Sequence, residues 1–290
     1  MNNVDTCFVV LHYLTYENTY NCVCSLLDID KACSSKIVIV DNNSANGSYE
    51  QLCDEFEDNP RVFLIHNSKN EGFARGMNIG YTFSRDILKA KTIGILNNDL
   101  FIKQKDFLNT LGKIVANGVD VIGPDIVIES TGVHANPQRV PNNYKAELLK
   151  YKILYAFYSI IHSKTIYKLI HTLTNREDGE NNKWNQSRKN VQLQGAAIFF
   201  SNSFVKNESI CLDPRTFLYQ EEDLLFQYCR RRGYAIEYTP ALQVIHAGGS
   251  STSAQIDDMR KRKLYRLQQQ IQSIHFVIDT INRYGRYDPE

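Results

Sequence analysis

Apolar residues in the first hundred positions fall into short β-branched runs separated by longer stretches with helical spacing. "CFVVLHY" (Cys7 to Tyr13), "KIVIVDNNS" (Lys36 to Ser44) and "RVFLIHN" (Arg61 to Asn67) have the length, composition and polar flanks of buried strands. Tyr20 to Leu27, Tyr49 to Phe56 and Met77 to Leu88 repeat apolar residues at the three-to-four spacing of a helix with one buried face. Strand and helix in alternation predict a mostly parallel central sheet flanked by helices, an α/β fold. A further run, "IGILNNDLFI" (Ile93 to Ile102), begins as a strand, breaks into Asn97, Asn98 and Asp99, and then resumes.

Ligands of parallel sheets gather at the carboxyl ends of the strands. "VDNNS" and "LNND" put polar residues after apolar runs at that edge, so Asp41 and Asp99 are expected to share one cleft. Each motif alone is equally compatible with a turn or a helix cap, since Asp and Asn favour both. "NEGFARGMNIG" (Asn70 to Gly80) has glycines at 72, 76 and 80, the wrong spacing for a dinucleotide-binding fingerprint. Glycines before a helix permit close approach to a ligand, and Arg75 between them is suited either to a phosphate or base or to solvent.

The second half carries three more polar signals. "VQLQGAAIFFS" (Val191 to Ser201) reads as a buried strand with a small-residue patch, Gly195-Ala196-Ala197, against which something can lie. "FLYQEEDLLFQYCRRRGYAI" opens a helix with Glu221, Glu222 and Asp223 and closes it with Arg230, Arg231, Arg232 and Gly233, an arrangement that also suits the helix dipole. "YTPALQVIHAGGSST" ends a strand at His246 and enters a Gly-Gly-Ser-Ser loop able to aim backbone N–H groups at an anion.

Composition narrows the partners. Lys and Arg (33) nearly balance Asp and Glu (32), so no overall field favours nucleic acid, and an anionic ligand must be caught by local groups. Seven scattered cysteines without a CxxC pair fit neither a disulfide framework nor a zinc site and suit a reducing cytoplasm. No stretch reaches the roughly 18 uninterrupted apolar residues of a membrane span.

Six motifs in order, "VIVDNNS", "NEGFARGMNIG", "ILNND", "LQGAAIFFS", "FLYQEED…RRRGY" and "VIHAGGSS", resemble the inverting glycosyltransferases of family 2, particularly bacterial rhamnosyltransferase-like members, from about Cys7 to Ser251. The resemblance implies a GT-A fold at 1–255. A nucleotide-binding half (about 1–125) is followed by an acceptor half (about 126–255), with a helical insertion at about 141–190. By motif position, Asp41 would read the base, with His12 to Thr15 as the wall of that pocket and Arg75 and Asn98 as further nucleotide contacts. Asp99 and His246 would hold a divalent ion, Mg²⁺ or Mn²⁺, on the donor diphosphate, with Asn97 standing where the family usually has a first acid. Gly248, Gly249 and Ser250 would meet the phosphates, and Gly195, Ala196 and Asp223 the acceptor. Glu222 would be the base, with Glu221 the alternative.

These roles imply transfer of a sugar from a UDP- or dTDP-sugar to a saccharide hydroxyl, on a lipid-linked or surface polysaccharide intermediate. Two rivals follow from the same residues: a nucleotidyltransferase, and a non-catalytic subunit that binds sugar nucleotide or scaffolds a complex. Outside the compact core, Tyr151 to Leu173 is a basic amphipathic segment suited either to an anionic membrane interface or to packing on the protein. Residues 256–290 form an amphipathic helix whose apolar seam (Leu264, Leu267, Ile271, Ile274, Ile278, Ile281) is suited to packing on its own domain or to a homodimer. The cluster Arg260 to Lys263 either faces anionic lipid or stays solvated. The expected location is cytoplasmic, peripheral at the inner face of a membrane.

Overall fold

The computed structural model describes residues 4–30, 34–160, 184–248, 256 and 258–289. The alternating first half folds as β1 (Thr6–His12), α1 (Tyr16–Asp28), β2 (Ser35–Asp41), α2 (Ser48–Phe56), β3 (Val62–His66), α3 (Phe73–Asp86) and β4 (Thr92–Asn97). Then come β5 (Leu100–Phe101), α4 (Phe107–Ala116), β6 (Val121–Ile128), α5 (Tyr144–Ile160), β7 (Arg188–Lys189), β8 (Ala197–Phe200), α6 (Asn202–Asn207), α7 (Glu221–Arg232), β9 (Ile236–His246) and α8 (Met259–Tyr284).

Among the described residues one sheet runs in the order β3-β2-β1-β4-β8-β6-β9-β5, with β7 on β9. β3, β2, β1 and β4 are mutually parallel, as the alternation predicts. β8 is antiparallel to both β4 and β6, a reversal that apolar runs alone do not announce. The strand expected over Val191 to Ser201 shrinks to its last third, Ala197–Phe200, with the Gly195-Ala196 patch at the end of the β4 ladder.

The core forms on both sheet faces. On one, Met77 and Tyr81 of α3 and Phe226 and Cys229 of α7 pack on Val9, Val38 and Ile198. On the other, Val23 of α1, Leu52 of α2 and Leu111 of α4 pack on Phe8, Ile39 and Phe199. Two of the glycines in "NEGFARGMNIG" serve this packing. A Cβ at Gly80 would stand 2.3 Å from Val9 Cγ1, and one at Gly76 would stand 2.6 Å from Leu11 Cδ1. Their absent side chains let α3 lie directly on the sheet, so the close approach they permit is to β1 rather than to a ligand.

The C-terminal helix keeps its apolar seam inside the chain. Leu267, Ile274 and Val277 of α8 are buried against Tyr144, Tyr151 and Tyr158 of α5 and Leu224 of α7. The face expected for a homodimer through this helix is therefore covered by the protein itself. The basic cluster is also partly committed. Arg260 donates to the carbonyls of Tyr158 and Ser159 at the end of α5, and Arg262 donates to Ile256 O. No helix among the described residues is long and apolar enough to cross a membrane.

Candidate active site

The parallel register lines up three strand ends: His12 pairs with Asp41 and Leu11 with Asn97. Beyond Asn97 the chain turns through Asn98 and Asp99, and β5 then pairs antiparallel with β9 so that Leu100 faces His246. Ala247 N–H donates to Asp99 O at 3.0 Å, fixing the turn against the end of β9. His246 Nε2 consequently lies 3.1 Å from Asp99 Oδ2.

Two buried oxygens here, Asp99 Oδ1 and Asn97 Oδ1, have no hydrogen-bond partner. A buried acceptor left unpaired costs about 1–3 kcal/mol, so this edge is built to receive a donor or a cation. A carboxylate and an imidazole converging beside an amide oxygen suit a divalent ion that takes its remaining ligands from water or phosphate. Among the described residues no three His, Cys, Asp or Glu side chains form a full metal cage. Asp99, Asn97 and His246 line a cleft of about 230 Å³, together with Tyr13, Asn42 and Phe217 among others.

The remaining expected nucleotide residues sit differently. His12 is fully buried, while Tyr13, also within the expected pocket wall, lines the cleft together with Leu11. Its ring nitrogens meet Thr19 Oγ1 at 2.6 Å and Ser48 Oγ at 2.8 Å. Burial outweighs the attraction of Asp41 and lowers the imidazole to about 4, so the ring is neutral at pH 7. Asp41 is also fully buried, accepting from Ser44 N–H and lying 2.7 Å from His66 Nδ1, while its neighbour Asn42 lines the cleft. Asn98 lines the cleft but spends both amide hydrogens on Thr15 and Thr19 of the β1–α1 corner, each at 2.8 Å. Arg75 points away: its Nε donates to Pro214 O at 2.9 Å, and Nη1 lies 3.8 Å from Glu71.

The acids at the start of α7 separate by exposure. Tyr219 (φ 68°) and Gln220 (φ 69°) both adopt the left-handed conformation, which is costly for such side chains and turns the chain sharply into the helix. Glu221 and Asp223 are buried, whereas Glu222 is half-buried. Burial, reinforced by Glu222, pushes Glu221 up to about 8 and Asp223 up to about 7. Burial also raises Glu222, while its own backbone amide and Gln138 pull it partly back. Asp223 accepts from the buried Tyr144 hydroxyl and so links α5 to α7.

Gly195 and Ala196 connect this acid to the β4 edge. A Cβ at Gly195 would stand 3.6 Å from Glu222 Oε2, and Ala196 O accepts from Asn97 N–H at 2.8 Å. Gly195 is half-exposed beside Glu222, whereas Ala196 is buried core. Gly248 is exposed with φ 71°, and Gly249 and Ser250 lie outside the described residues.

Part of the site is assembled over long distances in the chain. Asn42 holds the whole 67–72 segment: its Nδ2 donates to Asn70 Oδ1 and Gly72 O, and its Oδ1 accepts from Asn67 Nδ2 and Glu71 N–H. Phe217, Leu218 and Tyr265 enter the cleft from distant parts of the chain. Tyr13 falls in the expected pocket wall His12 to Thr15, Asn42 in "VDNNS", and Asn70, Gly72 and Phe73 in "NEGFARGMNIG", so these cleft residues lie within the motifs.

A family model for Glycosyl transferase family 2 matches residues 7–193. The chain belongs to that family. One curated relative of this family 2 chain is the low-salt glycan biosynthesis hexosyltransferase Agl10 of Haloferax volcanii, 23% identical over 137 residues. The alignment covers 47% of this chain and 41% of Agl10, so the chain spans less than half of that relative's length. Among solved structures, TarS 1–349 of S. aureus superposes with TM-score 0.53 and 13% identity, over 97% of this chain and 73% of that one. GalNAc-T7, solved with UDP, GalNAc and Mn²⁺, gives TM-score 0.55 and 12% identity, over 97% and 57%. The likeness at these identities is one of fold, the GT-A fold of glycosyltransferases.

Proposed function

We propose that this family 2 chain is an inverting glycosyltransferase that moves a sugar from a UDP- or dTDP-sugar to a saccharide hydroxyl. The observation that carries the reading is the pair formed by Asp99 and His246, with Asp99 Oδ1 buried and unpartnered at the cleft. That pair would hold Mn²⁺ or Mg²⁺ on the donor diphosphate, as the Mn²⁺ and UDP in the GalNAc-T7 structure suggest by analogy. The ion would neutralise charge on the departing diphosphate.

Glu222 is the acid suited to the acceptor side. It is the only half-buried one of the three, and it lies beside the half-exposed Gly195. As the acceptor oxygen bonds to the anomeric carbon, the carbon–oxygen bond to the diphosphate breaks and Glu222 takes the hydroxyl proton. A carboxyl raised by burial is a better base near neutral pH than an ordinary one, and such a group contributes about 10²–10⁴-fold. Gln138 is placed to hold the ionised form in position.

The acceptor in this reading is lipid-linked, and the protein works in the cytoplasm at a membrane face. Residues 161–173 of the expected amphipathic segment lie outside the described residues; of the rest of that helix, Leu149, Ile153, Phe157 and Ile160 of α5 support the placement, being exposed on one side beside Lys145 and Lys152. A thermal-shift series with UDP- and dTDP-sugars, with and without Mn²⁺, tests the reading. A donor at 100 times its dissociation constant should add about 2.7 kcal/mol of stability. The absence of any shift with either nucleotide and either ion would remove the nucleotide-sugar function.

A further inference from the structure

The C-terminal helix lies outside residues 7–193, the stretch that carries the family match, yet it reaches the cleft. Tyr265 of α8 lines the same cleft as Tyr13, which follows β1. Its hydroxyl is pushed up chiefly by burial, with smaller contributions from Tyr219 and Tyr13. The position of Tyr265 is fixed from several sides. Ser273 Oγ donates to Leu218 O at 2.8 Å, and the Arg266 guanidinium lies 5.9 Å from the centre of the Tyr219 ring. Leu267 and Ile274, on the same helix, are buried against α5 and α7. Phe217 and Leu218, which this helix braces, themselves line the cleft.

A residue that only held α8 in place would not need to present a ring to the cleft, because the apolar seam already does that work. We infer that Tyr265 is a donor-binding residue: with Tyr13 it forms an aromatic clamp on the nucleobase, so that α8 completes the nucleotide site. The inference rests on the reading of this cleft as a nucleotide site. Stacking on an aromatic ring tolerates any base and is worth about ten-fold or more in affinity per ring removed.

The test is calorimetric titration of UDP and of UDP-glucose, in the presence of Mn²⁺, into the wild-type chain and into Tyr265→Phe, Tyr265→Ala and Tyr265→Leu. Tyr265→Phe keeps the ring and should bind within about two-fold of wild type. The other two variants should lose about ten-fold for both ligands. Tyr265→Leu keeps an apolar side chain in the helix packing, so equal losses in Leu and Ala variants with unchanged melting temperature point to the missing ring. Unchanged UDP affinity in both, tighter binding in either, or a loss confined to UDP-glucose overturns the clamp. A wild-type chain that ignores UDP, dTDP and their sugars fails at the earlier step and removes the nucleotide reading itself.

Discussion

Nε2 of His246 lies 3.1 Å from Oδ2 of Asp99 because β5 folds the turn after β4 back onto the end of β9. The contact joins the two halves of the chain at the point where Asp99 Oδ1 has no other partner. Asp99→Asn keeps the shape of the turn and removes the charge, so metal-dependent donor binding should be abolished. His246→Ala should weaken it. Calorimetry with and without Mn²⁺ decides the matter, and unchanged metal-dependent affinity in Asp99→Asn would leave the carboxylate as a turn residue only.

Chemistry and binding separate at the start of α7. Glu222→Gln preserves the packing against Gly195 and removes the proton acceptor, so kcat should fall by roughly 10²-fold or more while donor affinity stays close to wild type. Glu221→Gln should have the smaller effect on kcat, since its carboxyl is buried. Steady-state kinetics on both variants distinguishes the roles, and an exchange of effects would put the base one residue earlier.

The same acids make stability depend on pH. Glu221 is pushed up to about 8 and Asp223 up to about 7, from ordinary values of 4.5 and 3.8. Between those limits the folded chain keeps protons that the unfolded chain has released, so their contribution to stability is lost as pH rises. His12 acts in the opposite sense: lowered from 6.5 to about 4, its contribution is lost as pH falls through that window. Above about pH 6.5 only the acids remain, and the melting temperature should drop toward pH 8.5. Glu221→Gln should flatten that decline in scanning calorimetry. A melting temperature that stays level over the same interval would mean these carboxyls are ionised in the fold.

Much of this arrangement was legible before any coordinates. Strands β1 to β4, the helices between them, and the break at Asn97 to Asp99 follow from apolar periodicity, because β1, β2 and β4 are buried on both faces and the edge strand β3 is still largely apolar. What the pattern could not carry is pairing over long distances. β8 enters antiparallel between β4 and β6, with Phe199 directly opposite Gly94, where a Cβ would stand 2.5 Å from Phe199 Cε1. The placement of Arg75 against Pro214 is decided in the same way by distant backbone, and so is the burial of His12 behind Tyr13. A residue's type states what it can do, while its partners, set by tertiary packing, state what remains free to do it.

The glycines of α3 offer a test of that distinction. Gly80→Ala puts a methyl 2.3 Å from Val9 Cγ1 and 2.8 Å from Val40 Cγ2, both on buried strands. Overpacking of this kind costs about 1–3 kcal/mol, and the melting temperature should fall accordingly. Donor affinity of the folded protein should stay the same. A loss of affinity without a loss of stability would return this glycine to the ligand site.

The exposed face of α5 carries the last prediction. Leu149 and Ile153 are each 59% exposed and Ile160 is 76% exposed, and with Phe157 they recur at steps of four, four and three, which puts them on one side of the helix. The opposite side, with Tyr144, Tyr151 and Tyr158, is taken by α8. An apolar stripe flanked by Lys145 and Lys152 suits the interface of an anionic bilayer, where burial of the apolar side chains adds to about 1 kcal/mol for each nearby basic residue. Arg260 and Arg262 donate to backbone carbonyls and keep their charge. The protein should therefore co-sediment with anionic but not neutral liposomes, and do so less as salt is raised. Phe157→Asp with Ile160→Asp should abolish co-sedimentation at an unchanged melting temperature, because neither residue is in the core. Indifference of the wild-type protein to anionic liposomes at low salt, or unfolding of the double variant, would mean that this face serves the fold and not a membrane.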